Sequence, residues 1–268
     1  MQSATARISY AFISILVIGF ILLPLVLIVW MSFFSNKLLS FPPEGYTFDW
    51  YRRAWEMSDF RNGFLLSFRT SLIATAIALL LGVPASFALV RCKFPGREVI
   101  NTLLMSPMVV PAIVGGSAMF VFFIEVEFLT GWRVAGSPGG LILAHSLIAL
   151  PWMIKLVTTS MTGMNPFIEE AARSLGASAT TTFFRITLVA IKPGVIAGSL
   201  FAFVNSFIDL EKSIFLVGPE STTLQIALIN YLEWTFDPTV GAVATVQITL
   251  ITVLLIITDR YVKLSRAF

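Results

Sequence analysis

Apolar residues in this chain come in long unbroken runs, not along one helical face or at every second position. Six runs stand out, at 8–34, 64–90, 100–124, 140–160, 193–217 and 241–258. Each is close to or above the roughly 20 residues an α-helix needs to cross a bilayer. Strands of a lipid-facing barrel would be about 9–11 residues long and alternating, and these runs are neither. The pattern predicts an all-α integral membrane protein with six transmembrane helices in a single domain over residues 1–268. The first run is too long for a signal-peptide core and lacks a small-residue cleavage site, so it is expected to be a retained span.

Prolines punctuate the runs. "SPMVVPAIVGG" in the third holds Pro107 and Pro111 ahead of Gly115 and Gly116. Each proline removes a backbone donor and can kink a helix. The stretch therefore suits either a moving, cavity-lining element or a static bend.

One polar stretch interrupts the apolar pattern between the fourth and fifth runs, "NPFIEEAARSLGAS" at 165–178. Asn165 is a favoured N-cap, and Pro166 suits the first helical position, where a missing N–H costs nothing. Glu169 and Glu170 lie near the positive end of the helix dipole. Gly176 is placed for a left-handed residue after the last turn, and Ser178 can cap a second helix. Helical spacing aligns Phe167, Ala171 and Leu175, with Ala172 alongside. Such a face fits a groove in a soluble partner or packs beneath its own membrane helices; periodicity alone favours neither.

Composition strengthens the membrane assignment. The 268 residues are 57% hydrophobic and 12% charged, with a mean hydropathy of +0.87, whereas soluble domains average about 25% charged. A formal net charge of +3 with no basic run gives no basis for nucleic-acid binding. The single cysteine, Cys92, excludes an internal disulfide and a cysteine-built metal site. With the amino terminus inside, eleven of the eighteen Lys and Arg residues fall on the inner side, among them Arg7, Arg91, Lys263 and Arg266. Only four of the fifteen acids join them. That bias places both termini and the 165–178 stretch in the cytoplasm. The outer loop carries Tyr46, Trp50, Tyr51 and Trp55, ring types favoured at a membrane–water interface.

Within the fifth run, Gly194, Gly198, Ala202 and Ser206 recur every four residues, a stripe that lets membrane helices pack closely. Asn205 and Asp209 share a neighbouring stripe. Asp209 lies roughly 22 Å beyond Gly194, in the outer half of the bilayer. An ionisable group at such depth is costly unless it faces water or a partner. Asn205, Asp209 and Glu211 are the candidates for a path that attracts a cationic solute; an ion pair of either acid with Lys212 is the structural alternative. His145, the only histidine, suits an interhelical hydrogen bond or a proton relay. No catalytic or metal-binding set is expected. There is no H-E-x-x-H or G-x-S-x-G motif and no G-x-x-x-x-G-K-[ST] phosphate loop, so the chain itself cannot hydrolyse ATP by that route.

"EAARSLGASATTTFFRITLV" resembles the signature loop of permease subunits from bacterial ATP-binding-cassette (ABC) importers. Glu170, Ala171, Ala172, Gly176, Ile186 and Leu188 fall on its pattern, while Val189 stands where the motif has proline and Pro193 follows four residues later. "SPMVVPAIVGG" and "FAFVNSFIDLEKSIFLVGP" are similar to stretches of the spermidine/putrescine-type branch. The resemblance implies a type I, binding-protein-dependent permease in the bacterial inner membrane. It would pair with a second permease subunit, two ATPase subunits that hold ATP and Mg, and a periplasmic binding protein. It implies that 164–190 is the coupling loop, and Phe167, Glu169, Glu170, Ala171, Ala172, Leu175 and Gly176 are the candidates for coupling to the ATPase. No cofactor is expected in this chain. The solute it implies is a polyamine or other cationic amine. A secondary transporter or channel is the alternative; it would need intramembrane ion sites, often on repeated broken helices, and no internal repeat is present.

Overall fold

Runs too apolar for water close their backbone hydrogen bonds within themselves, and in the computed structural model they do so almost entirely as helices. The structure describes residues 4–37, 41–218 and 221–262, with the side chains of 4–9, 261 and 262 left aside. Lys263 and Arg266, counted above toward the inner charge, lie outside the described residues, as does the side chain of Arg7. One isolated antiparallel bridge, Phe34 with Tyr46, is the β-structure among them.

Five helices are long and apolar enough to cross a membrane. They are α1 (Ala4–Met31), α3 (Ser58–Arg91), α5 (Ala112–Thr130), α6 (Pro138–Gly163) and α13 (Pro238–Val262). Shorter helices lie between them: α2 (Asp49–Glu56), α4 (Arg97–Met105), α7 (Phe167–Ser174), α8 (Ala179–Thr182), α9 (Leu188–Ala190), α10 (Lys192–Phe207), α11 (Ser213–Leu216) and α12 (Leu224–Trp234). Residues 179–190 and α10 form a pair bent by 69°, which makes a sixth crossing if the pair is one span. The bend has a cause. Pro193 lacks the N–H that would continue the ladder, and Ile191 before it leaves helical geometry at φ −88°, ψ 4°.

Two expected spans are corrected. The run at 100–124 is not one helix: α4 stops at Met105, a 3₁₀ turn covers Ser106–Met108, and α5 starts after Pro111 and runs on to Thr130. Pro107 and Pro111 each delete a donor, and Pro111 is extended at ψ 131°. The run at 193–217 also ends early, at Phe207. Residues 208–212 turn away, and α11 begins afresh. Asp209 is therefore not on the stripe of Asn205. The 11-residue α12, with Leu224, Ile226, Ala227 and Leu228 buried, is too short to register as a span.

The chain divides into two compact units. In the first, residues 1–61 with 228–250, the end of α1 is held by aromatic and polar contacts. Trp50, itself buried, donates from Nε1 to the Phe34 carbonyl at 2.6 Å, whereas Tyr46 and Trp55 are exposed. Ser32 and Tyr51 share a 2.6 Å hydrogen bond. The Asp237 carboxylate accepts from Tyr231 at 2.9 Å and faces Arg53 at 3.5 Å. Burial, above all, pushes the Tyr231 phenol above its ordinary pKa.

In the second unit, residues 62–227 with 251–268, α3, α6 and α10 form the core around Ala74, Ala78, Ala149, Met153, Val157 and Ala202. The seam between α6 and α10 is tight. A Cβ added at Gly198 would lie 2.9 Å from Met153 Sδ, and one at Gly194 would be 2.8 Å from the Leu156 carbonyl oxygen. Glycine is required there by close approach, not by conformation. Phe123 of α5 joins Leu141, Ala144 and Leu216 in a second cluster.

Candidate functional site

Two places in the second unit gather the candidate residues. The first is the loop between α6 and the bent pair. Asn165 Oδ1 accepts the Phe167 N–H at 3.0 Å, and the Pro166 carbonyl accepts from Glu169 and Glu170. At the other end Gly176 sits at φ +89°, a conformation that costs other residues about 1–2 kcal/mol. Its N–H donates to Arg173 O at 2.9 Å, and the Ala177 N–H donates to Ala172 O at 3.0 Å. This is the Schellman pair of bonds that satisfies the last carbonyls of a helix. Ser178 Oγ then accepts the Thr181 N–H at 3.1 Å, capping α8. A π-helical turn at Phe183–Thr187 follows.

The candidate side chains on α7 and at its C-cap, Leu175, divide into two directions. Phe167 is 68% exposed and Leu175 is 90% exposed, and Glu170 and Ala171 are also exposed. Ala172 is half-buried. Glu169 is only 7% exposed and is turned into the chain. Its Oε2 accepts from Arg91 Nε at 2.8 Å, and its Oε1 accepts from Thr187 Oγ1 at 2.6 Å. Of the seven coupling candidates, Glu169 is the one whose carboxylate is occupied within the chain.

The second place is a cavity of about 500 Å³. The proline-broken segment supplies Pro107, Met108, Val110 and Ala112; α6 supplies Ile148 and Trp152. The stretch leaving α10 supplies Asn205, Asp209, Glu211 and Lys212. The three expected path residues thus line one hollow, although Asp209 reaches it from a turn and not from a helix. Trp152 and Lys212 were not anticipated as lining residues. Trp152 follows the helix-interior Pro151 and stacks on Phe201, centroids 5.4 Å apart; Asn205 Nδ2 donates to the Phe201 carbonyl at 3.0 Å. Among the described residues no ion pair joins Lys212 to Asp209 or Glu211.

Behind this wall runs a buried polar network. Asp209 Oδ2 accepts from both the Ser213 N–H and the Ser213 hydroxyl, each at 2.9 Å. The Ser213 hydroxyl lies 3.1 Å from His145 Nε2. His145 Nδ1 is 2.8 Å from Ser206 Oγ, which donates to Ser71 Oγ at 3.0 Å. His145 therefore makes interhelical hydrogen bonds through both ring nitrogens. Among the described residues no group of three or more His, Cys, Asp or Glu side chains is placed to hold a metal.

No family model matches the chain. Individual relatives do. The putrescine transport system permease protein PotI of Escherichia coli K12 is 30% identical over 236 residues, 87% of this chain and 84% of that protein. The molybdenum transport system permease protein ModB of the same organism is 28% identical over 219 residues, 75% of this chain and 93% of the relative. Among solved structures, a bacterial ABC transporter involved in importing the acidic polysaccharide alginate superposes with a TM-score of 0.71. It is 17% identical and covered over 97% of this chain and 99% of that one.

Proposed function

The chain belongs to the permease subunits of bacterial ABC importers, and on that premise we propose that it forms one membrane-spanning part of an ATP-driven importer of a cationic amine. The bent pair serves as one span, giving six crossings with both termini in the cytoplasm of a bacterial inner membrane. A second permease chain completes the path. Two ATPase subunits hold ATP and Mg, and a periplasmic binding protein delivers the solute.

The observation that carries the importer reading is the face of α7. A capped helix leaves Phe167 and Leu175 outside the chain while burying a single side chain, Glu169. Exposed apolar anchors on one helical stripe suit a groove in a partner. Glu170, Ala171 and Ala172 continue that surface, and Gly176 sets the angle at which it is presented.

The amine rests on the cavity. Its lining carries two carboxylates, Asp209 and Glu211, against one ammonium, Lys212. That balance attracts a cation and repels an oxyanion. Trp152 adds an aromatic ring to the lining, a group whose attraction for an ammonium is about 0.5–2 kcal/mol, and Asn205 adds a neutral polar one.

Purification of the chain from its native membrane with its bound subunits, followed by uptake assays in liposomes, tests both parts. The expected result is a co-purified ATPase and ATP-dependent uptake of putrescine. Uptake of molybdate in its place would overturn the amine assignment and leave the importer standing. Solute movement without any ATPase subunit would overturn the importer.

A further inference from the structure

Helix α7 is joined to its neighbours through non-helical chain on both sides. Met164, after α6, is extended at φ −82°, ψ 130°, and the Gly176 turn closes the other end. Between these joints α7 buries only Glu169. The carboxylate is held at both oxygens, by Arg91 at the end of α3 and by Thr187 in the π-helical turn. Thr187 is fully buried, and Arg91 Nη2 also reaches the Met161 carbonyl at 3.5 Å. Charge-assisted bonds of this kind are short and strong, and removing one partner strands a buried charge. Helix α7 cannot slide against the end of α3 without breaking them.

Arg91 is the last residue of α3. Twenty positions earlier on the same helix, about 30 Å at 1.5 Å per residue, Ser71 accepts a hydrogen bond from Ser206. Ser206 leads through His145 and Ser213 to Asp209 at the cavity. One helix therefore carries both the grip on α7 and the first member of the network behind the cavity.

We propose that Glu169 is a positioning residue that fastens α7 to α3, so that a push on the exposed face of α7 travels through Arg91 and along α3 to the cavity. The inference rests on the reading that an ATPase subunit docks on α7. Within it, Phe167, Glu170 and Leu175 meet the partner, and Glu169 does not touch it.

The test uses the intact importer in liposomes and reads putrescine imported per ATP hydrolysed. The variants are Glu169→Gln, Thr187→Val and the exchanged pair Arg91→Glu with Glu169→Arg. Glu169→Gln lowers the ratio about tenfold and Thr187→Val about threefold, within the range by which mutations along a coupling path change it. The exchanged pair recovers most of the loss. A merely structural role would lower the yield and Tm of the complex and leave the ratio at its wild-type value. That result, or loss of the ATPase from the Glu169→Gln complex, overturns the inference. Absence of any ATPase from the wild-type complex overturns the docking reading, and the inference falls with it.

Discussion

His145 Nδ1 and the Ser206 hydroxyl lie 2.8 Å apart in the seam between α6 and α10, both buried. On the other side of the ring, Nε2 faces Ser213 at 3.1 Å. Shape complementarity from glycines brings these helices together, and the imidazole keeps the polar groups trapped between them satisfied.

The first prediction concerns this pairing. His145→Ala leaves two serine hydroxyls short of a partner and lowers stability by about 2 kcal/mol, while Ser206→Ala costs about 1 kcal/mol. Thermal unfolding in detergent measures both, and the double variant shows less than the sum because the two share one bond. Strict additivity would mean that the contact is not made.

Replacement of Gly194 by Val drives a side chain into Ser160 and the Leu156 carbonyl. The expected cost is about 1–3 kcal/mol or separation of the helices, seen as loss of the monodisperse peak in size-exclusion chromatography. Gly163, with nothing within 4 Å of an added Cβ, is the control. Gly163→Ala should fold as well as wild type.

Gly176→Ala places a side chain on a residue at φ +89°. The strain, about 1–2 kcal/mol, is relieved by re-aiming the end of α7. The measurement is the amount of ATPase retained on the purified chain, expected to fall, with Gly176→Asn falling less because asparagine tolerates this conformation better. Equal retention in all three would show that the turn does not set the docking angle.

Asp209→Asn keeps an acceptor for the Ser213 N–H and removes the charge. Putrescine uptake should drop about tenfold, comparable to losing one charge-assisted hydrogen bond, with the assembled complex unchanged on a native gel. Wild-type uptake kinetics would take Asp209 out of the path.

Most of the membrane helices were legible because an apolar run of 20 or more residues has few other folded fates. The ends of α7 were legible too, since Asn165 and Gly176 are residue types chosen by backbone geometry. The end of α10 was not. Ile214, Phe215 and Leu216 extend the apolar run, and hydropathy cannot register that Asp209 will turn back to cap α11. The prolines announced a break near 106–111, but not that α4 would be a separate helix with no buried residue. Glu169 and Glu170 are adjacent and identical in type. What separates them is Arg91, 78 residues away, and no local pattern carries that information.

Cys92 directly follows Arg91 and is both exposed and the chain's single thiol. A maleimide dye would therefore attach at one address, with no competing thiol to remove beforehand. The wild-type polypeptide carries a built-in optical reporter at the foot of α3, and fluorescence during turnover can follow that spot in real time.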